Sequence, residues 1–89
     1  MRLEQLRQRI DEINENIISL FAERLEVALE IAKIKREENL PVFDPIREGK
    51  QKELLKKTAE KHNISPAIID EIFVVLVEYS KRMQLGGGE

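Results

Sequence analysis

Cysteine is absent from the 89 residues, which excludes disulfide bonds, thiol catalysis and cysteine-ligated zinc. Histidine occurs once, at His62, beside Asn63 in a segment that reads as a loop. One imidazole cannot assemble a metal site by itself, so no metal is expected. Long hydrophobic runs are also missing. The longest covers residues 72–77, far short of the roughly 20 residues a bilayer crossing needs. The opening residues Met1-Arg2-Leu3-Glu4 carry no apolar signal region, and a soluble cytoplasmic chain with no membrane partner is the expectation. Nor does one sign of charge dominate. Fifteen Lys and Arg face 17 Asp and Glu, for a formal net charge of −2 and a pI near 5.5. A nucleic-acid partner usually requires a basic face and a high pI, so none is expected.

What is present describes one folded domain. Apolar residues make up 42% of the chain and charged residues 36%, the balance of a protein with a core and an ionic surface. Proline and glycine are scarce, at three and four residues, and none falls between Leu3 and Glu38. Over that stretch, alternate steps of three and four residues pass through Leu3, Leu6, Ile10, Ile13, Ile17, Leu20, Arg24, Val27, Ile31 and Ile34. All but Arg24 are aliphatic, a seam of the coiled-coil kind. A helix of about 36 residues is roughly 54 Å long, whereas a compact chain of this size has a radius of gyration of about 12 Å. The remainder of the chain is too small to cover such a helix. The pattern therefore predicts a second copy, most simply about a twofold axis.

Asn39-Leu40-Pro41-Val42-Phe43 breaks the first helix. Asp44-Pro45 supplies an N-cap and a first-turn proline for a second helix ending near Lys61, with a thin apolar face of Ile46, Leu54, Leu55 and Ala59. Ser65-Pro66 repeats the signal for a third, running to about Gln84, with Ile69, Ile72, Phe73, Leu76 and Met83 along one face. Residues 86–89, Gly-Gly-Gly-Glu, read as a flexible tail beyond a domain over 1–85. The expected fold is all-α: three helices, long, short and medium, in an intertwined dimeric bundle.

Function is sought where polarity breaks the packing pattern. Arg24 interrupts the seam itself. In the adjoining row Arg7, Asn14, Phe21, Ala28, Lys35, the lysine lies eleven residues beyond Arg24, three turns along one side of the helix. Each feature also has a plainer reading. A seam cation can set register or pair with a carboxylate, Lys35 can complement the helix C-terminus, and Arg7 alone reads as a solvated surface residue. Arg47 sits in the first turn of helix two, where the dipole disfavours a cation unless an anion or the Asp44 cap offsets it; Glu48 is compatible with that end. On helix three the stripe Phe73, Val77 turns polar at Ser80 and Gln84. Together these breaks describe a space for a small polyanion bearing hydroxyl and ether oxygens. They include no nucleophile–base pair, metal set or glycine-rich phosphate loop.

The ordered segments Leu6-Arg7-xx-Ile10-Asp11, Ala22-Glu23-Arg24, Ile34-Lys35, Pro41-Val42-xx-Asp44-xx-Arg47-Glu48 and Ser80…Gln84 resemble the all-helical chorismate mutases over essentially the whole chain, from Leu6 to Gln84. The resemblance implies a homodimer, no cofactor, and rearrangement of chorismate, a small dianion, to prephenate. It also implies a role for each residue. Arg7 would enter the partner's site and, with Arg24, hold carboxylates, assisted by Arg47 and Ser80. Lys35 and Gln84 would bond the ether oxygen. Glu48, with the backbone at Asp44, would hold the ring hydroxyl, and Ile31 and Val77 would supply apolar wall. On this reading Lys35, Gln84 and Arg24 are the catalytic residues. Competing expectations are an isochorismate pyruvate lyase of the same fold, a mutase-like regulatory or interaction domain, and a non-catalytic helical dimer of the RNA-binding kind, which would carry a basic external face.

Overall fold

Three helix-forming stretches separated by two breaks become three α-helices in the structure, a computed structural model that describes residues 1–84. Helix α1 spans Arg2–Glu37, α2 Pro45–Lys61 and α3 Pro66–Gln84, with no strand among the described residues. The all-α class and the long, short, medium order hold, with α1 stopping one residue before the expected Glu38. The glycine-rich tail expected at 86–89 lies outside the described residues.

Both breaks are built the same way. Glu38 and His62 are the C-caps of α1 and α2, and the residues after them, Asn39 and Asn63, are left-handed at φ 55° and 57°. The Leu40 N–H donates to the Lys35 carbonyl at 2.8 Å and the Asn39 N–H to that of Arg36 at 3.3 Å. At the second break Ile64 donates to Ala59 at 2.9 Å and Asn63 to Glu60 at 3.1 Å. Each is a Schellman motif with asparagine in the place usually taken by glycine. Asparagine suits the position because its short amide can bond locally in a conformation other side chains avoid. Pro41 and Pro66 follow and keep the old helix from resuming. After the first break the Asp44 Oδ1 accepts from the Arg47 N–H at 3.1 Å, with Pro45 opening α2, as the sequence leads one to expect. Asn39→Ala is expected to lower stability by about 1 kcal/mol, since alanine is strained at this φ, whereas Asn39→Gly should be near neutral. Urea unfolding of the two variants checks this, and an alanine variant as stable as the parent would contradict it.

Helix α3 bridges the other two. It packs on both α1 and α2, while no Cα of α1 comes within 8 Å of one in α2. Phe21 of α1 meets Tyr79 of α3 edge to face, with ring centroids 5.7 Å apart. Among the described residues Ala32 and Ala59 are the buried apolar side chains, and no large side chain is fully enclosed. The apolar face expected of α2 is only partly used. Ala59 is buried and Leu55 half-buried, but Ile46 and Leu54 are 73% and 61% exposed. The reason is geometric: α2 meets a single helix within the chain, and one neighbour covers one row. Ile72 on α3 is likewise exposed, whereas Ile69, Phe73, Leu76 and Met83 are half-buried.

The seam of α1 finds no cover. Residues 1–20 are exposed throughout, and the nine aliphatic seam residues range from 36% to 65% exposed. The chain extends 57 × 28 × 17 Å with a radius of gyration of 16.3 Å, against the roughly 12 Å of a compact chain this long. Its accessible surface is 7730 Å², where a folded monomer of this mass exposes about 5,400 Å².

Candidate active site

The three helices enclose a groove of about 650 Å³, and each lines it at helical spacing. From α1 come Arg24, Val27, Ala28, Ile31, Ala32 and Lys35; from α2 and its N-cap, Asp44, Arg47, Glu48, Gln51, Lys52 and Leu55. These two stripes share one pattern of steps, three, one, three, one and three, which is a single face of an α-helix over three turns. Helix α3 contributes Asp70, Phe73, Val77, Ser80, Lys81 and Gln84 along the face that reaches both other helices.

Seven of the eight residues expected in a site therefore line one groove: Arg24, Lys35, Asp44, Arg47, Glu48, Ser80 and Gln84, with Ile31 and Val77 among its apolar wall. Arg7 does not join them. It is exposed on the uncovered half of α1, seventeen residues and about 25 Å along the axis from Arg24. A smaller concavity of about 420 Å³ near Gly49, Lys56 and Pro66 contains none of the eight.

Arg24 is half-buried, with its guanidinium carbon 5.7 Å from the centroid of the Phe73 ring on α3. A cation over an aromatic face is attracted by the ring's quadrupole, so Phe73 fixes the arginine without using up its N–H donors. Among the described residues no carboxylate lies within ion-pair distance of Arg24. Among the described residues no ion pair closes the seam break, and Arg24 lines the groove.

Lys35 is held twice by the connector that ends its helix. Its carbonyl accepts the Leu40 bond of the Schellman motif, and its Nζ donates to the Val42 carbonyl at 3.2 Å. An ammonium has three donors, which leaves two for a ligand. Asn39, the residue that allows the chain to turn there, thus also sets where the ammonium stands.

Ser80 is 3% exposed, and its Oγ donates to the Leu76 carbonyl at 3.0 Å, the back-bonding habit of serine within helices. Its proton is committed to its own helix, so toward the groove it presents lone pairs unless χ1 rotates. Glu48 faces Lys81 across the α2–α3 gap at 3.8 Å. Lys81, Lys52, Gln51 and Asp70 line the groove without having been singled out from sequence. The signal for Gln51 and Lys52 was available, since they follow Arg47 and Glu48 by four residues on the same face. In all, the groove carries five cations (Arg24, Lys35, Arg47, Lys52, Lys81) against four carboxylates (Asp44, Glu48, Asp70, Glu78).

Such a groove suits a small anion with hydroxyl groups. Each of the three helices brings at least one cation, and an apolar strip of Val27, Ile31, Phe73 and Val77 lies between. Carboxylate and amide oxygens remain to accept hydrogen bonds, and the amide N–H groups of Gln51 and Gln84 remain to donate them. Its one lining hydroxyl side chain, Ser80, faces a carbonyl rather than a base, which gives no activated nucleophile.

The family model for chorismate mutase type II matches residues 6–85. The chain is 36% identical over 83 residues to a protein of Methanocaldococcus jannaschii named chorismate mutase, covering 93% of this chain and 84% of that one. It is 36% identical over 70 residues to the T-protein of Haemophilus influenzae, and 33% identical over 75 residues to the bifunctional chorismate mutase/prephenate dehydratase of Escherichia coli. In these last two the matched region is 19% of the relative's length and 79% and 84% of this chain's. With a family match over nearly its full length, the chain belongs to the chorismate mutase type II family.

Proposed function

We propose that the groove is the chorismate site of a homodimer, with Arg7 of the partner subunit completing it. Family membership makes the activity that of a chorismate mutase, the isomerisation of chorismate to prephenate. The observation that carries the site assignment is the convergence of seven expected residues on one groove, while the eighth stands beside a helix seam that its own chain leaves bare.

The reaction is an intramolecular shift. The C–O bond of the enolpyruvyl ether breaks as a C–C bond forms to the ring, and no proton or external group is transferred. Two effects remain for the protein. A groove of fixed shape selects the compact conformer in which the two reacting carbons meet. Positioned donors then stabilise negative charge growing on the ether oxygen. Lys35 and Gln84 are those donors. Arg24 and Arg7 of the partner subunit hold the carboxylates, with Arg47 and Ser80 assisting, Ser80 by rotating its hydroxyl off Leu76. Glu48 and the backbone at Asp44 hold the ring hydroxyl.

Dimerisation is supported by the excess surface, the extended shape and the aliphatic seam of α1. Residues 1–85 form the mutase unit, and the highly charged composition suits an enzyme of the cytoplasm. None of the three helices is long and apolar enough to cross a membrane.

Loss of chorismate absorbance on adding the protein, followed by acid conversion of the product to phenylpyruvate, tests the assignment. Appearance of salicylate and pyruvate from isochorismate, with chorismate untouched, would overturn it in favour of the lyase. Gln84 adds a further expectation. An amide donates without having to be protonated, so kcat should persist through neutral pH. A steep loss between about pH 5 and 8 would remove Gln84 as the donor.

A further inference from the structure

Lys81 projects from α3 into the groove, one residue past Ser80 and three before Gln84. Its Nζ stands 3.8 Å from Oε1 of Glu48 on α2, with side chains 53% and 43% exposed. In open water such a pair adds little to stability. Its setting changes when a ligand displaces the water. Glu48, read above as the acceptor for the ring hydroxyl, then faces a doubly anionic substrate from inside a groove of low dielectric, and like charges there repel strongly. Without a cation at its side, a carboxylate is a poor choice of acceptor in a site for a dianion. Lys81 is the cation nearest to it among the described ion pairs, and without Lys81 the chain's own contribution to the groove falls from five cations against four carboxylates to four against four.

We propose that Lys81 is a positioning residue for substrate binding: it neutralises Glu48 and holds that carboxylate in place, so that the ring hydroxyl is accepted without repelling the dianion. The inference rests on the chorismate reading of the groove. Because Lys81 takes no part at the ether oxygen, its effect falls on KM and little on kcat.

Steady-state kinetics with chorismate on the wild-type dimer, Lys81→Met, Lys81→Arg, Glu48→Gln and the Lys81→Met/Glu48→Gln double variant test this. Methionine keeps the stem and removes only the charge. KM is expected to rise about tenfold or more in Lys81→Met with kcat within about threefold, and arginine should restore most of the loss. The distinguishing result lies in the double variant. Glu48→Gln takes away the repulsion that Lys81 offsets, so losing Lys81 should raise KM by less than about threefold in that background, against about tenfold or more beside an intact Glu48. Wild-type turnover together with an unchanged KM in Lys81→Met overturns the role of Lys81 and leaves the site assignment standing. So does a Lys81→Met change that raises KM as much in the Glu48→Gln background as in the wild type. A wild-type protein without turnover of chorismate overturns the site assignment and the role of Lys81 with it.

Discussion

Replacing Lys35 with alanine is expected to lower kcat by about 10²- to 10³-fold, the loss seen when one preorganised donor is taken from a developing oxyanion. The structure separates this from a folding defect. What Lys35 contributes to stability is a bond from Nζ to the Val42 carbonyl at 3.2 Å, in an exposed setting worth about 1 kcal/mol or less. The Schellman bond that ends α1 uses the backbone of residue 35 and survives the substitution. Single-turnover rates beside a urea unfolding curve measure both quantities on one sample. A variant that turns over near the normal rate would remove Lys35 from the chemistry, whatever its stability.

The second large effect concerns Arg7. It lies about 25 Å along α1 from its own chain's groove, so if it serves catalysis it does so in another chain. Arg7→Ala and Arg24→Ala homodimers should each lose at least about a hundredfold in activity. Mixed, unfolded and refolded together, they should recover. In a heterodimer the chain bearing Arg7→Ala keeps its own Arg24 and receives an intact Arg7, which completes one groove, while the other groove lacks both. Random pairing makes about half the dimers mixed, so activity should return to about a quarter of wild type. Failure to rise above the separate variants would show that Arg7 is not shared.

Much of this was legible in residue order. Proline at 41, 45 and 66 and the Asp44 cap mark where the helices stop and restart, because these residues act on the backbone locally. The helical period identified which side chains share a stripe, and so Arg24 with Lys35, and Ser80 with Gln84. Period does not say what a stripe faces. Ile46 and Leu54 were placed on a core face that the chain does not build, since α2 has one neighbour and α3 has two. For the same reason Arg24 read as part of the dimer seam, whereas its guanidinium lies over Phe73 of its own chain. The Lys81–Glu48 pair joins residues 33 apart in sequence, beyond the reach of any spacing rule within one helix. The asparagine terminators lay in plain view as Asn-Leu-Pro and Asn-Ile-Ser-Pro, but their left-handed backbone is a property of conformation rather than of composition.

The bare first twenty residues of α1 also bear on how the protein is made. Most contacts within the chain are local, between neighbours on one helix or across a short turn, and chains of that kind form their structure in microseconds to milliseconds. Covering α1 is a meeting of two molecules, with a rate that scales with concentration. Refolding should therefore show an early loss of random coil that is independent of protein concentration. Catalytic competence should appear later, with a half-time that shortens as the chains are concentrated.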